Sequence, residues 1–282
     1  MQEQWRIKDL LEWTTRFFTD KGIEQPRLEA EVLLARVLEN DRVFLYAHYD
    51  QPVNAEEREK YRHFIQRRLK GEPVAYIAGY KEFMSLDFKV SPAVLIPRPE
   101  TELLVEKVLE LTVDYDDFRI CDVGTGSGAI AVSLAVYCPT AQVYAVDISA
   151  QALEIARENA LRHQARVQFF QGDLLAPLQT EPAFDIIVAN LPYISEEEFQ
   201  ILEPGVRDYE PTGALLAAGD GLDIYRRLLP QAVSLLKGDG YLLFEIAPQQ
   251  SVQALKMFRD FAEVVVIEDM TGRQRLIKAR KR

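Results

Sequence analysis

Cys121-Asp122-Val123-Gly124-Thr125-Gly126-Ser127-Gly128 joins a short apolar run, residues 119–123, to a longer one, residues 129–137. The first run has the length of a buried strand and the second that of a helix. Glycines between them allow a tight turn and let a ligand approach the backbone closely. The unpaired N–H groups of the helix start lie beside that turn. Three alternating glycines at a strand-to-helix junction therefore predict a ligand-binding turn rather than a plain loop.

The same alternation extends over the rest of the chain. After a helix at 102–111, strands are predicted at 119–123, 142–146, 167–171, 185–189, 240–246 and 264–267, with helices such as 129–137 and 149–163 between them. A last strand, in either parallel or antiparallel orientation, is expected at 275–279. This pattern predicts an α/β fold with a doubly wound, mostly parallel seven-stranded sheet. Residues 1–72 read differently. Ile7, Leu10, Leu11, Phe17 and Phe18 recur at helical spacing, as do Leu28, Val32, Leu33, Val37 and Leu38 after Pro26. A third helix is expected over 55–69, capped by Asn54 and stopped by Gly71 and Pro73. Residues 73–97 contain two period-two runs around Ser85 and are expected to form a β-hairpin linker. The domains are thus expected at 1–72, 73–97 and 98–282.

The chain has 282 residues, 48% hydrophobic and 27% charged, with two cysteines and a net charge of -11. Cys121 and Cys138 fall in apolar segments and read as reduced, buried thiols. No apolar run approaches ~20 residues, so no membrane span is expected. The start shows no signal-peptide pattern, and a cytoplasmic location is expected. The acidic balance disfavours gripping a nucleic-acid backbone as the main task. The basic end, Lys278 to Arg282, reads as a solvated tail. Three scattered histidines and two cysteines give no metal-ligand spacing, so no metal is expected.

The glycine spacing admits two cofactors. Gly124, Gly126 and Ala129 satisfy the dinucleotide pattern, which a nicotinamide-dependent oxidoreductase would use. Gly124, Gly126 and Gly128 satisfy G-x-G-x-G, which resembles the first motif of class I S-adenosylmethionine methyltransferases. Asp147, about 20 residues on, suits either by accepting from ribose hydroxyls, or it could cap the helix near Ser149. Gly172-Asp173 ends the third strand. In the methyltransferase fold an acid there commonly faces the adenine amino group, and the plain alternative is a turn residue.

Asn190-Leu191-Pro192-Tyr193 follows the strand at 185–189. Such residues continue a strand poorly. The Asn side chain and the next backbone carbonyl can both accept from one NH2 group, and the aromatic can cover a flat group. The tetrapeptide resembles the (Asn/Asp/Ser)-Pro-Pro-(Tyr/Phe) signature of methyltransferases acting on planar nitrogens. Four further segments resemble the release-factor glutamine methyltransferases, the PrmC/HemK family. They are Gly71 to Ile77 with Ile96 to Glu102, Pro26 to Leu34, Glu210 to Leu215, and Asp269 to Arg275. The resemblance spans essentially the whole chain. Two positions depart from it. Leu191 stands where the family usually has Pro, and Asn-Leu-Pro-Tyr is more familiar from ribosomal RNA adenine dimethyltransferases. Ala247, in Glu245-Ile246-Ala247, stands for a more usual Gly.

The resemblance implies a class I, Rossmann-like methyltransferase domain. It implies methyl transfer from S-adenosyl-L-methionine to the side-chain amide nitrogen (N5) of the Gln in the Gly-Gly-Gln motif of class I peptide-chain release factors. Gly124, Thr125, Gly126, Ser127, Gly128, Asp147, Asp173, Leu174 and Asn190 are then the expected cofactor residues. Asn190, Leu191, Pro192 and Tyr193 form the expected catalytic and substrate set. Arg98 is a candidate for steering the acceptor, or for a structural ion pair with Glu100 or Glu102. The helical domain is expected to dock the protein substrate, and the protein is expected to act as a monomer without binding nucleic acid directly. The competing readings are an N6-adenine methyltransferase acting on RNA or DNA, the oxidoreductase above, and a cofactor-binding module that only docks release factors.

Overall fold

Period-two alternation sorts the strand side chains onto two faces of one sheet. The computed structural model describes residues 5–112, 117–181 and 183–282. Its larger unit comprises residues 80–203 and 210–282. It opens with an antiparallel hairpin, β1 (Tyr80–Phe83) and β2 (Leu86–Lys89). A sheet of seven strands follows: β3 (Arg119–Val123), β4 (Gln142–Asp147), β5 (Val167–Gln171), β6 (Phe184–Ala189), β7 (Leu236–Glu245), β8 (Phe261–Glu268) and β9 (Gln274–Lys281). The spatial order is β5-β4-β3-β6-β7-β9-β8. Strands β3 to β7 are parallel, and β9 runs antiparallel between β7 and β8.

One face carries Cys121, Val123, Tyr144, Val146, Ile187, Ala189, Leu242 and Phe244. The other carries Ile120, Val143, Ala145, Ile186, Val188 and Leu243. Helix Ala129–Tyr137 lies on the second face and is buried along most of its length, which explains its nearly uniform apolarity. Gly128, at φ 80°, precedes that helix, and a Cβ there would stand 3.1 Å from Ala156 Cβ of helix Ala150–Arg162. The close approach of two helices thus needs a residue without a side chain.

The predicted strands are all present, but β7 begins at Leu236 rather than 240, and β8 covers Phe261–Glu268 rather than 264–267. Exposed Lys237, Gly238 and Asp239 carry no apolar signal at the start of β7. The basic end is not a solvated tail. Lys278 to Lys281 belong to β9, where Ala279 is buried. The Lys281 ammonium donates to the Val233 and Leu236 carbonyls, each at 2.6 Å. Strand pairing and carbonyl acceptors here outweigh the preference of a charged run for water.

The smaller unit comprises residues 1–79 and 204–209. Helices Ile7–Asp20, Pro26–Val37, Arg42–Ala47, Ala55–Leu69 and Val74–Ala78 surround Leu11, Phe18, Leu33, Leu34, Leu45 and Tyr61. Asn54 caps the fourth helix through a reciprocal pair with Glu57, at 2.9 and 2.8 Å. Val74–Ala78 falls in the stretch read as hairpin but forms a helical turn, with Tyr76, Ile77 and Ala78 buried. Five residues are too few for helical periodicity to show against the period-two signal that follows. Within this unit Glu31 is buried and accepts from Arg27, Arg42 and Tyr46. Cys121 and Cys138 are both free and buried. Among the described residues no helix is long and apolar enough to cross a membrane.

Candidate active site at the carboxyl ends of the strands

Strand register alone brings the two motifs together. Val123 pairs with Ala189, Val146 with Val123, Asp147 with Gln171, and Ala189 with Phe244. Gly124, Asp147, Gln171, Asn190 and Glu245 therefore fall in one row at the carboxyl ends of the parallel strands, with Gly172 one residue beyond. The chain winds one way from β3 through β5 and resumes on the other side of β3 with β6. That reversal point is where open α/β sheets bind ligands.

Backbone bonds hold the glycine turn. The Gly124 and Thr125 amides donate to the Val146 carbonyl at 2.8 and 3.0 Å. Asp147 accepts from the Gly126 amide at 2.8 Å through one oxygen and from the Ser149 amide at 2.9 Å through the other. It thereby braces both the turn and the next helix start, while Ser149 is the helix cap. Burial raises the Asp147 carboxyl above its ordinary range, and these amides offset part of the rise. Beneath the turn, Asp122 accepts from Thr125 Oγ1 at 2.6 Å and from the Ala131 amide at 3.2 Å. Burial pushes Asp122 up to about 7. Its second oxygen has no hydrogen-bond partner among the described residues. Asn159 donates to the Ser127 carbonyl at 2.8 Å and grips Lys89 of the hairpin at 2.7 and 3.0 Å.

The donor set fits a nucleoside-type cofactor. Nothing lies within 4 Å of the place a Gly126 Cβ would take, so the backbone there is open to a ligand. The Asp147 carboxylate beside it is the acceptor a ribose diol requires.

Asn190 and Tyr193 converge on one buried acid. Asn190 Nδ2 donates to Thr101 Oγ1 at 3.0 Å, and Thr101 donates to Glu245 Oε2 at 2.7 Å. The Tyr193 hydroxyl donates to Glu245 Oε1 at 3.0 Å. Burial raises Glu245 to about 6, and burial together with the adjacent Glu245 charge holds the Tyr193 phenol well above its usual value. No described residue donates to Asn190 Oδ1, which leaves an amide oxygen free to accept from a substrate. The Leu191 amide donates to Tyr225 Oη at 3.1 Å. Tyr225 spends its own proton on the Glu245 carbonyl at 2.7 Å, so the Leu191 carbonyl, 3.5 Å from Tyr225 Oη, keeps acceptor capacity. Gln250 fixes the segment's far end by donating to the Tyr193 carbonyl at 2.8 Å.

Residues 9–79 match the family model described as PrmC N-terminal domain, and residues 99–217 match the methyltransferase small domain. The release factor glutamine methyltransferase of Geobacter sulfurreducens is 43% identical over 280 residues, 99% of this chain and 98% of the relative. That of Moorella thermoacetica is 47% identical over 270 residues, 93% of each chain. The chain belongs to the release factor glutamine methyltransferase family. A crystal structure of a Pyrococcus furiosus methyltransferase shares the fold, with a TM-score of 0.52, 18% identity, and coverage of 77% of this chain and 96% of that one.

Both departures from the family pattern have a structural reading. The Leu191 side chain is buried and lies against the glycine turn; a Cβ on Gly124, whose φ is 75°, would stand 2.6 Å from Leu191 Cδ2. Leu191 also supplies the N–H that Tyr225 accepts, a donor proline lacks. Ala247 sits at φ -72°, ψ 143°, open to any L-residue, and its amide donates to Gln250 Oε1 at 3.0 Å. Its extra methyl therefore demands no backbone strain.

Three further expected site residues have these neighbours. The Asp173 carboxylate is half exposed and pairs with Arg227. The Leu174 side chain is buried in the core cluster. Arg98 pairs with neither Glu100 nor Glu102; it donates to buried Glu210 at 2.6 Å, which also accepts from the Ile96 amide at 3.2 Å. Sequence reasoning missed the roles of Asp122, Thr101, Tyr225 and Glu245. Asp122, Thr101 and Glu245 lie inside quoted motifs, and a buried acid ending a strand was the available signal. Tyr225 lies within helix Asp223–Leu235 and gave none.

Proposed function

We propose that this chain transfers a methyl group from S-adenosyl-L-methionine to the side-chain amide nitrogen (N5) of the glutamine in the Gly-Gly-Gln motif of peptide-chain release factors. When bound, the cofactor supplies an electrophilic methyl group on a positively charged sulfur. Gly124 to Gly128 and Asp147 would hold it. An amide nitrogen is a weak nucleophile because its lone pair is delocalised into the carbonyl. Asn190 Oδ1 and the Leu191 carbonyl would accept the two N–H bonds of the glutamine and aim its nitrogen. Tyr193 would cover the flat amide. In ideal model systems such positioning lowers a barrier by roughly 7–11 kcal/mol. The same acceptors stabilise positive charge as it develops on nitrogen, and the proton leaves to solvent after transfer. The helical unit would dock the protein substrate, with exposed Trp13, Val43 and Tyr46 offering apolar contact.

The observation that carries this reading is the free oxygen of Asn190, held by an amide whose other end is tied to Thr101. The names of the full-length relatives support the acceptor, while Leu191 is the feature shared with the RNA adenine reading. Purified protein incubated with methyl-labelled S-adenosylmethionine should label a release factor and leave ribosomal RNA unlabelled. Label in RNA alone would overturn the assignment.

A further inference from the structure

Building on the proposed transfer to an amide, we propose that Thr101 and Glu245 are positioning residues that fix which end of the Asn190 amide faces the substrate. The argument is a count of protons. Thr101 has one hydroxyl proton, and it goes to Glu245 Oε2 at 2.7 Å. Its oxygen can then only accept from Asn190, at 3.0 Å, so Asn190 must turn its NH2 toward Thr101 and its oxygen outward. An ionised Glu245 enforces this, because a carboxylate only accepts. Protonation at Oε2 reverses the chain. Glu245 would donate to Thr101, Thr101 would donate to Asn190, and the Asn190 amide would rotate to present NH2. Two NH2 groups cannot bond to each other, so the substrate glutamine would lose its guide.

The surroundings place this switch within reach of ordinary pH. Burial is the largest influence on Glu245 and raises it to about 6. Glu100 adds to the rise, while bonds from Thr101 and Tyr193 and the charge of Arg275 oppose it. Arg275 is itself held by Asp269 at 2.9 Å. Tyr225 faces the main chain of Glu245 and stays protonated, because burial pushes its phenol up.

The test combines turnover with a readout independent of substrate. In wild type, kcat for release-factor methylation should fall on the acid side with a midpoint near 6. Thr101→Val should lower kcat about tenfold, as expected for losing one orienting hydrogen bond, with S-adenosylhomocysteine affinity and KM for the release factor little changed. Thr101→Ser should restore most of the rate, and Glu245→Gln, whose NH2 donates to Thr101 as the protonated acid would, should give a low rate with no acid limb. Nuclear magnetic resonance of the Asn190 side-chain NH2, identified by its loss in Asn190→Ala, should show a pH shift near 6 in wild type and none in Glu245→Gln. If wild type methylates no release factor, the proposed function fails, and the NH2 signal still decides the inference. An NH2 signal indifferent to pH, to Thr101→Val and to Glu245→Gln overturns it whatever the substrate. So does a Thr101→Val enzyme with the wild-type rate and pH profile.

Discussion

Gly124 and Leu191 should be strongly coupled. Alanine at 124 must adopt the left-handed conformation at φ 75°, which costs about 1–2 kcal/mol. Its methyl would also stand 2.6 Å from Leu191 Cδ2, the end of a side chain in a buried cluster, which must then shift against its neighbours. Overpacking of this kind adds about 1–3 kcal/mol. Gly124→Ala alone should therefore destabilise the methyltransferase unit by roughly 2–5 kcal/mol. Leu191→Ala alone removes a buried side chain and should cost about 2–4 kcal/mol. In the double variant the new methyl occupies vacated space, the strain at φ remains, and the overpacking disappears. The double should thus be less destabilised than the sum by about 1–3 kcal/mol. The chain has two units, so one global unfolding curve would mix them. Native-state hydrogen exchange of amides in β3 and β6 reads the relevant unit alone. Additivity within about 0.5 kcal/mol would refute the packing of Leu191 under the glycine turn.

Further outcomes follow from the same geometry. Asn190→Ala should abolish methyl transfer and spare S-adenosylhomocysteine binding by calorimetry; near-normal turnover would remove Asn190 from the mechanism. Asp122, raised to about 7 in the fold from 3.8, keeps its proton where the unfolded chain has lost it. Stability of the ligand-free protein should therefore fall as pH rises from 5 to 7, by about 1.4 kcal/mol per pH unit from this group, with Glu245 adding to the lower half. Hydrogen exchange of β3 amides across that window, corrected for the intrinsic exchange rate, should show the slope, and Asp122→Asn should remove most of it. Arg98→Ala leaves the buried Glu210 carboxylate with the Ile96 amide as its one hydrogen-bond partner among the described residues, and should destabilise by about 3 kcal/mol in hydrogen exchange of the same unit. If activity fell with no loss of stability, Arg98 would instead be a substrate residue.

Local signals made the scaffold legible. Strands β3 and β5 and helix Ala129–Tyr137 announce their own length and period, and residues at their ends are read directly. The glycine turn was visible because glycine's role there is a property of the turn itself. The roles of Thr101, Glu245 and Tyr225 were not, because each depends on register across the sheet. Phe244 had first to be known as the partner of Ala189 before Glu245 could be placed beside Asn190. Arg98 shows the same limit. Its partner, Glu210, lies 112 residues away, and near neighbours in sequence offered equally charged alternatives. The basic end misled because a run of charges says nothing about the two strands that flank it.

The most direct measurement is tandem mass spectrometry of a release factor treated with this protein and S-adenosylmethionine. The account predicts one added methyl on the side-chain nitrogen of the Gly-Gly-Gln glutamine, present with wild type and absent with Asn190→Ala. An unmodified glutamine after treatment with protein that binds the cofactor, or a methyl placed on another residue, would contradict it.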